Sequence, residues 1–328
     1  MITDRQRVAV IGAGAIGCYY GGRLAEAGHD VHFLLRRDYD AVRANGFRFT
    51  SVDGDFDLPG PSIARSSGEI GPVDWVICAL KATSIEEVPS LVSPCLSDRT
   101  RILVLMNGLG LEERFAEWFG PERVFGGMAF TCVNRGEPGC VQHLFYGAVT
   151  LGHLLNEAEE IGRAAALWDG SKVQIEPSDS LLRARWEKLC WNIPFNGLAV
   201  AAGGIKTDRI VGDPALRTAA RAAMEEVIAA GNADLAAHQE TTQLDGAAIV
   251  ARMFDLTDKM EPYRPSTMID FAEGRSMEVE AIFGEPLRRA EDLGVDVPHL
   301  RLLTALLRAL NREGGEPGAS RDRDAGRP

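Results

Sequence analysis

The chain reads VAVIGAGAIG at residues 8–17, and this stretch decides how its first half folds. Four apolar residues run directly into glycines, which is typical of a strand buried on both faces before a tight turn. Gly12, Gly14 and Gly17 then follow the spacing G-x-G-x-x-G. In that spacing Gly12 allows the bend, Gly14 lets a pyrophosphate approach the backbone, and Gly17 lets the next helix pack closely.

A helix is expected over residues 18–27, ending at Gly28, and a second strand over residues 31–35. This completes one βαβ unit, so the glycines indicate dinucleotide binding rather than a plain strand–helix turn. The N–H groups at the start of the helix would then face the phosphates. The residues expected to hold the cofactor at this turn are Gly12, Ala13, Gly14, Ala15, Ile16 and Gly17.

Arg36 and Arg37 follow the second strand, where an acidic residue would hydrogen-bond the ribose 2′-hydroxyl of NAD(H). A guanidinium fork is matched instead to a 2′-phosphate. The sequence therefore predicts NADP(H), with Arg36 on the phosphate. The alternative is that Arg36 is only a solvated loop charge.

Buried strands are also expected at residues 74–80 and 101–106, which run into Lys81 and Asn107. Strands that alternate with helices predict a Rossmann-type, doubly wound parallel sheet. Ligands of such sheets bind beyond the carboxyl ends of the strands, so Arg36, Lys81 and Asn107 are expected on one rim.

The remaining pattern divides the chain. Other expected elements are helices over residues 38–45 and 85–91, a hairpin over 46–58, and strands at 124–131 and 149–152. After these come helices over 180–191, 214–238, 246–260, 276–292 and 299–311. We therefore expect a Rossmann domain over residues 1–176, an all-helical domain over 177–312, and a disordered tail over 313–328 that is rich in Gly, Pro and charge.

The composition limits the partners. A net charge of -12 over 328 residues argues against nucleic acid and against an anionic membrane surface, although a small anionic substrate needs only a few local cations. The six cysteines show neither C-x-x-C pairs nor metal-ligand spacing, so we expect reduced core thiols and no metal. Residues 1–6 are polar and predict no signal peptide, which favours the cytoplasm. The apolar helices of the second domain are compatible with a homodimer.

A second informative stretch, WEKLCWNIPFN, occupies residues 186–196. Lys188, Asn192 and Asn196 are spaced i, i+4, i+8 and share one face of a helix. Their neighbours are apolar, so a cation and two amides there must be partnered or line a cleft. The alternative is a lysine on an exposed face with two capping or turn asparagines. Pro194 would remove one backbone donor and kink the helix.

Later in the chain, Ser266 supplies a hydroxyl, and Glu278 and Glu280 supply carboxylates. The two glutamates lie two residues apart and point in different directions on a helix, so at most one faces a given site. Taken alone, either is typical of a solvated surface acid.

Together these motifs resemble the ketopantoate reductase (2-dehydropantoate 2-reductase) family from residue 8 to about residue 310. The matching motifs are GAGAIG, the arginine after the second strand, LKAT, MNGLG, WEKLCWN with Asn196, the Pro-Ser pair at 265–266, and MEVEAIFG. The resemblance implies NADPH-dependent reduction of a small anionic 2-oxo acid, most directly ketopantoate to pantoate in pantothenate biosynthesis.

The resemblance also implies roles for single residues. Lys188 would be the general acid, and Glu278 would contact the lysine or the cofactor. Asn107 would contact both cofactor and substrate, and Lys81 would line the cofactor cleft. The residues implied to hold the substrate's carboxylate and hydroxyl are Asn192, Asn196 and Ser266.

Three departures from the family pattern leave the substrate open. Residues 197–199 read Gly-Leu-Ala where the best-known members have Pro-Leu-Thr, no asparagine lies near Lys206, and Tyr263 replaces an asparagine three residues before Ser266. One alternative is a relative that reduces a different oxo acid or oxidises a hydroxy acid. Another is a non-catalytic NADP(H)-binding sensor, which would have no reason to keep Lys188 among apolar neighbours.

Overall fold

The computed structural model describes residues 5–314, which form two compact units that divide the chain between Arg185 and Trp186. The first unit contains a ten-stranded sheet, and the second is helical. The last helix extends to Gly314, so residues 313–314 of the predicted tail are helical, and that part of the prediction is wrong. The rest of the predicted tail, residues 315–328, lies outside the described residues.

The elements follow the chain in this order. The strands are Arg7–Ile11 (β1), Asp30–Leu34 (β2), Phe47–Ser51 (β3), Phe56–Leu58 (β4), Ser62–Ala64 (β5), Trp75–Cys78 (β6), Arg101–Val104 (β7), Val124–Arg135 (β8), Cys140–His153 (β9) and Ile175–Pro177 (β10). The α-helices up to residue 180 are Ala15–Ala27 (α1), Tyr39–Asn45 (α2), Ser67–Ile70 (α3), Val88–Val92 (α4), Leu111–Phe119 (α5) and Ala158–Ala166 (α6). The later ones are Leu181–Ala201 (α7), Thr207–Gly212 (α8), Pro214–Ala237 (α9), Gly246–Lys259 (α10), Ser266–Ala272 (α11), Glu285–Asp292 (α12) and Pro298–Gly314 (α13).

Six strands of the sheet are parallel and stand in the order β5-β2-β1-β6-β7-β8. This is the strand order of a dinucleotide-binding Rossmann fold, in which the direction of winding reverses between the first strand and the fourth. Here the reversal falls between β1 and β6. The predicted doubly wound parallel sheet is therefore confirmed.

Two antiparallel pairs extend this sheet. The hairpin predicted over residues 46–58 is formed by β3 and β4, and the long strands β8 and β9 form another. Strand β8 is the outermost of the six parallel strands on one side. Strand β9 lies beyond it, and β3 pairs with β9. Since β3 follows β2 in the chain, this pairing is long-range and leaves no local mark in the sequence.

Helix α1 packs so closely on β1 that glycines are required. Gly12 has a φ of +94°, and a Cβ there would lie 2.5 Å from the carbonyl carbon of Ala79. A Cβ on Gly17 would strike the carbonyl oxygen of Gly12. Gly28 ends the helix in the left-handed conformation, with a φ of +111°, as predicted. The bend and the close packing expected of Gly12 and Gly17 are therefore present.

Helix α7 begins in the first unit. Its residue Leu181 lies against Gly126 and Gly152 of the β8–β9 hairpin, and Arg185 reaches the loop after β7. The division of the chain therefore falls nine residues beyond residue 176, because the first turn of α7 is fastened to the sheet.

The fastening is a buried ion pair. Arg185 and Glu112 are each 2% exposed, and Arg185 Nε donates to Glu112 Oε1 at 2.9 Å. The guanidinium also donates to the carbonyl oxygens of Met106, at 2.7 Å, and Val104, at 3.1 Å. Burial raises the pKa of Glu112, and the charge of Arg185 opposes that shift.

Three helix predictions need correction. The segment predicted as one helix over 85–91 is a 3-10 helix, Ala82–Glu87, followed by α4, whose second residue is Pro89. The helix predicted over 276–292 is not helical at 276–278, and it contains a π-helical segment, Glu280–Gly284, that ends two residues before Pro286. A proline cannot donate the i→i−4 hydrogen bond, which favours a wider turn before it. The helix predicted over 180–191 is longer, since α7 continues through Pro194 to Ala201.

Replacement of Gly17 by alanine should destabilise the protein by about 1–3 kcal/mol, because the added methyl group must displace the Gly12 peptide. Gly162 is the matched control, since it also lies inside a helix but has nothing within 4 Å of a built Cβ. Gly162→Ala should raise stability by about 0.5–1 kcal/mol. Urea unfolding measures both, and equal effects of the two substitutions would refute the packing argument.

Replacement of Arg185 by methionine should cost about 3–5 kcal/mol of unfolding free energy, because it leaves a buried carboxylate without its partner. Arg163→Met, which removes the exposed pairs to Glu159 and Glu160, should cost about 0–1 kcal/mol. Removal of Arg185 takes away the charge that opposes the burial shift, so the pKa of Glu112 should rise further in the variant. A raised carboxyl pKa means stability lost as pH rises, so the Arg185→Met deficit should shrink as the pH is lowered and Glu112 takes up a proton. A deficit independent of pH would contradict this origin.

Candidate active site

One edge of the sheet collects the predicted cofactor residues of the first unit. The carboxyl ends of β7, β6, β1 and β2 are neighbours there. They lead respectively to Asn107, Lys81, the glycine turn and Arg36. The three steps between these strands span about 14 Å, because neighbouring strands lie about 4.8 Å apart. The rim expected from the sequence therefore exists, with Arg36 and Asn107 at its two ends.

The glycine turn has the features of a phosphate cradle. Gly14 is the N-cap of α1, so no side chain is available there to cap the first-turn N–H groups. That turn also lacks an acidic residue. A Cβ built on Gly14 would have nothing within 4 Å, in contrast to Gly12 and Gly17. An uncapped helix N-terminus beside open space attracts an anion, because its N–H groups and dipole are unopposed.

Arg36 is exposed over 68% of its side chain, and its contact with Glu87 is long, at 3.5 Å. A surface pair of this kind contributes little, so the guanidinium can exchange Glu87 for a phosphate at small cost. Strand β2, which precedes Arg36, has no acidic residue at its carboxyl end. This arrangement fits a ribose that carries a 2′-phosphate.

Asn107 and Lys81 differ in how they are held. Asn107 is half-buried in a turn shaped by Gly108 and Gly110, whose φ values are +120° and +79°, and Arg185 holds the carbonyl before it. Lys81 is exposed, at the start of the 3-10 helix that follows β6. The turn therefore fixes the position of Asn107, whereas Lys81 lies at an exposed position of the rim.

The second unit holds the other predicted residues. Because α7 is continuous, Lys188, Asn192 and Asn196 do share one face, as predicted. Asn192 and Asn196 are buried, at 8% and 2% exposure, and Lys188 is half-buried. The alternative interpretation is a lysine on an exposed face with two capping or turn asparagines. Both asparagines lie buried inside α7 rather than in a turn, but Asn196 does act as a cap, for the start of α11.

Asn196 is joined to the start of α11. Its Oδ1 accepts the backbone N–H of Thr267 at 3.1 Å, which brings it next to the exposed residue Ser266. The Oδ1 atom of Asn196 already accepts this hydrogen bond, and its Nδ2 amino group is the donor that the side chain can offer to a ligand. The structure thus brings two predicted substrate residues together.

The two glutamates lie in different surroundings, although Glu278 precedes the helical segment that contains Glu280. Glu280 is exposed and forms a bidentate pair with Arg308 at 2.8 and 2.6 Å, and the hydrogen bond from Arg308 lowers the pKa of its carboxyl group. Glu278 is buried, at 8% exposure. The surface interpretation therefore holds for Glu280 and is wrong for Glu278.

Sequence reasoning missed several residues near these positions. Arg135 donates to the carbonyl oxygen of Ala13 in the glycine turn, and Glu112 and Arg185 shape the Asn107 loop. Arg135 is the last residue of a strand, but the strand predicted at 124–131 stops four residues too early to show this. In the second unit, Trp191 donates to Thr257 Oγ1 at 3.0 Å and packs near Tyr263.

The cysteine prediction is confirmed for five residues, which are buried, whereas Cys140 is partly exposed. Burial raises the pKa of Cys78 to about 12, so this thiol stays protonated. Across residues 5–314, no group of three or more His, Cys, Asp and Glu side chains could hold a metal ion. Within the same range, no helix has the length and apolar character needed to cross a membrane.

Comparison with known proteins gives consistent results over both units. Residues 8–156 match the family described as ketopantoate reductase PanE/ApbA, and residues 180–311 match its C-terminal counterpart. A 2-dehydropantoate 2-reductase from Nostoc sp. is 37% identical, with 94% of this chain and 96% of the relative covered.

Solved structures agree. The 2-dehydropantoate 2-reductase from Geobacter metallireducens is 44% identical, with a TM-score of 0.88 over 92% of this chain and 99% of that one. A D-mandelate dehydrogenase solved with NADH and anilino(oxo)acetate has a TM-score of 0.84 over 94% of this chain and 100% of its own, and at 22% identity it shows a common fold. By sequence and by structure, the chain belongs to the ketopantoate reductase family, whose members are pyridine-nucleotide-dependent oxidoreductases.

Proposed function

We propose that this protein reduces 2-dehydropantoate to pantoate with NADPH. The observation that carries the proposal is the α7 face, on which Lys188 stands one and two helical turns before two buried asparagines. A cofactor-binding protein without catalysis has no use for a cation and amides placed in this way. Family membership over nearly the whole chain supports the same activity.

NADPH is proposed over NADH because of the rim of the first unit. Arg36 at the end of β2 donates to the 2′-phosphate, and the uncapped turn at Gly14 binds the pyrophosphate. Lys81 and Asn107 complete the rim, and Asn107 stands at the end opposite Arg36. Arg36 therefore lies at the adenosine end of the dinucleotide and Asn107 at the nicotinamide end.

The chemistry requires a proton at one atom. When bound, NADPH supplies a hydride to the keto carbon of the substrate. Lys188 stabilises the negative charge that develops on the keto oxygen and donates a proton to it, which forms the hydroxyl group. Asn192, the Nδ2 group of Asn196 and the Ser266 hydroxyl orient the substrate's carboxylate and hydroxyl. Buried Glu278 keeps the ammonium charged, or contacts the cofactor.

A different oxo acid is the second candidate, and one observation favours it. Tyr263 stands three residues before Ser266, with its ring 6.2 Å from that of Trp191, which precedes Asn192. An aromatic pair beside the proposed substrate residues suits a larger or more apolar acid. A panel of 2-oxo acids, with the NADPH absorbance as readout, separates the two candidates: oxidation only with acids other than ketopantoate would establish the second.

Assembly and location stay predictions. We propose a homodimer in the cytoplasm, in line with the apolar helices of the second unit and with the six free cysteines, which suit a reducing compartment. Sedimentation of the purified protein measures the first of these, and a single monomeric species would contradict it.

Replacement of Lys188 by alanine should lower kcat by more than about a hundredfold, the effect of losing a general acid, with NADPH affinity nearly unchanged. Steady-state turnover of ketopantoate and a fluorescence titration with NADPH measure the two effects. Lys259→Ala, which removes an exposed lysine paired with Asp255, is the matched control and should turn over normally. Near-normal turnover of Lys188→Ala would overturn the assignment.

Replacement of Arg36 by aspartate should shift cofactor preference toward NADH, because the new carboxylate repels a 2′-phosphate and accepts from a 2′-hydroxyl. The ratio of kcat/KM for NADPH to that for NADH should fall by about tenfold or more. Arg48→Asp, an equivalent charge reversal at an exposed position of strand β3, should leave the ratio unchanged. If Arg36→Asp also leaves it unchanged, Arg36 does not touch the phosphate.

A further inference from the structure

Arg135, the last residue of β8, bridges the two segments of the proposed NADPH site. Its Nη1 donates to the carbonyl oxygen of Ala13, inside the glycine turn, at 3.2 Å. Its Nη2 forms an ion pair with Asp38, which directly follows Arg36 and Arg37. One guanidinium therefore joins the turn proposed to bind the pyrophosphate to the loop proposed to bind the 2′-phosphate.

The carboxylate of Asp38 would repel a 2′-phosphate bound at Arg36. It is buried, at 8% exposure, two residues after Arg36, and its Oδ2 also accepts the N–H of Gly139 at 3.3 Å. A buried carboxylate without a counterion would repel a phosphate over several ångströms, because low-dielectric surroundings screen it weakly. Arg135 supplies the counterion.

The same arginine also orients the glycine turn. The carbonyl oxygen of Ala13 accepts from Arg135 and, at 3.2 Å, from the Sγ of Cys18. A carbonyl oxygen turned toward a phosphate would be repelled, so two donors that hold it elsewhere leave the N–H side of the turn for the anion. Arg135 is itself one-third exposed, so its charge is also felt at the surface of the rim.

Acidic residues and arginines are nearly equal in number around the end of β2. Each acidic residue there has an arginine partner: Asp38 with Arg135, Asp40 with Arg65, and Glu87 with Arg36. Arg37 adds one further positive charge. Loss of Arg135 therefore removes the local excess of positive charge and leaves the buried carboxylate of Asp38 without its counterion.

We propose that Arg135 is a positioning residue that determines the selectivity for NADPH, because it neutralises Asp38. Its bond to the Ala13 carbonyl acts on the pyrophosphate that both cofactors share and accounts only for a small loss of affinity common to the two. This inference rests on the proposed function, and it predicts an effect specific to the 2′-phosphate. A residue that only supported the fold would affect NADPH and NADH alike.

The test compares dissociation constants of NADPH and NADH, measured by fluorescence titration of the full chain. Arg135→Gln should raise the NADPH Kd on the order of tenfold and the NADH Kd by less than about threefold. Adding Asp38→Asn to that variant should restore most of the NADPH affinity, because the repelling carboxylate is then gone. Arg135→Lys should lie between the wild type and Arg135→Gln.

Arg217 and Asp258, a bidentate pair in the helical unit, form the matched control, and Arg217→Gln should change neither constant. Parallel losses of NADPH and NADH affinity in Arg135→Gln, or no recovery with Asp38→Asn, would overturn the inference while the proposed function stands. A wild-type protein that binds NADPH no tighter than NADH would overturn the proposed cofactor and, with it, this role of Arg135.

Discussion

Helix α1 and strand β1 approach each other so closely that the carbonyl oxygen of Gly12 occupies the place where a side chain of residue 17 would stand. The packing brings the N-terminus of α1 to the carboxyl end of β1 and leaves its first N–H groups without a capping side chain. Open space at Gly14 completes the cradle. This contact places the cradle in the middle of the rim formed by Asn107, Lys81 and Arg36. A dinucleotide that lies along such a rim needs its phosphates held at the centre.

Buried or half-buried arginines hold the loops of this rim. Arg185 binds two carbonyl oxygens before Asn107 and is balanced by Glu112, and Arg135 binds the Ala13 carbonyl and is balanced by Asp38. In both cases a guanidinium takes several acceptors at once, which its fixed fork of five donors allows. Loops with glycines would otherwise be mobile, so these pairs supply the order that ligand binding requires.

In the helical unit, fixed geometry comes from a shared polar contact. The Oδ1 of Asn196 caps the start of α11, so one side chain joins two helices and presents its amino group. The continuity of α7 through Pro194 keeps Lys188, Asn192 and Asn196 aligned. The indole of Trp191 bonds to Thr257 and ties the same helix to α10. Lys188 and the two amides are thus carried by one continuous helix.

The sequence by itself determined the elements that depend on local chemistry. Short apolar runs predicted β1, β6 and β7, the G-x-G-x-x-G spacing predicted the turn, and the Asp53-Gly54 pair predicted the β3–β4 hairpin. The i, i+4, i+8 spacing predicted the common face of Lys188, Asn192 and Asn196, because helical periodicity is a property of neighbours in the chain. It also pointed to Arg36, Lys81 and Asn107, since strand ends can be recognised locally.

Only the tertiary structure decided the contacts between distant segments. The pairing of β3 with β9, the burial of Glu278 beside an exposed Glu280, and the partners of Arg135 and Arg185 join residues that no local pattern relates. The sequence shows the same charged residue whether its side chain is solvated or paired in a core. Only the surrounding fold decides which of the two environments the side chain has. For that reason the sequence revealed which residues could carry the chemistry, and the fold revealed what holds them.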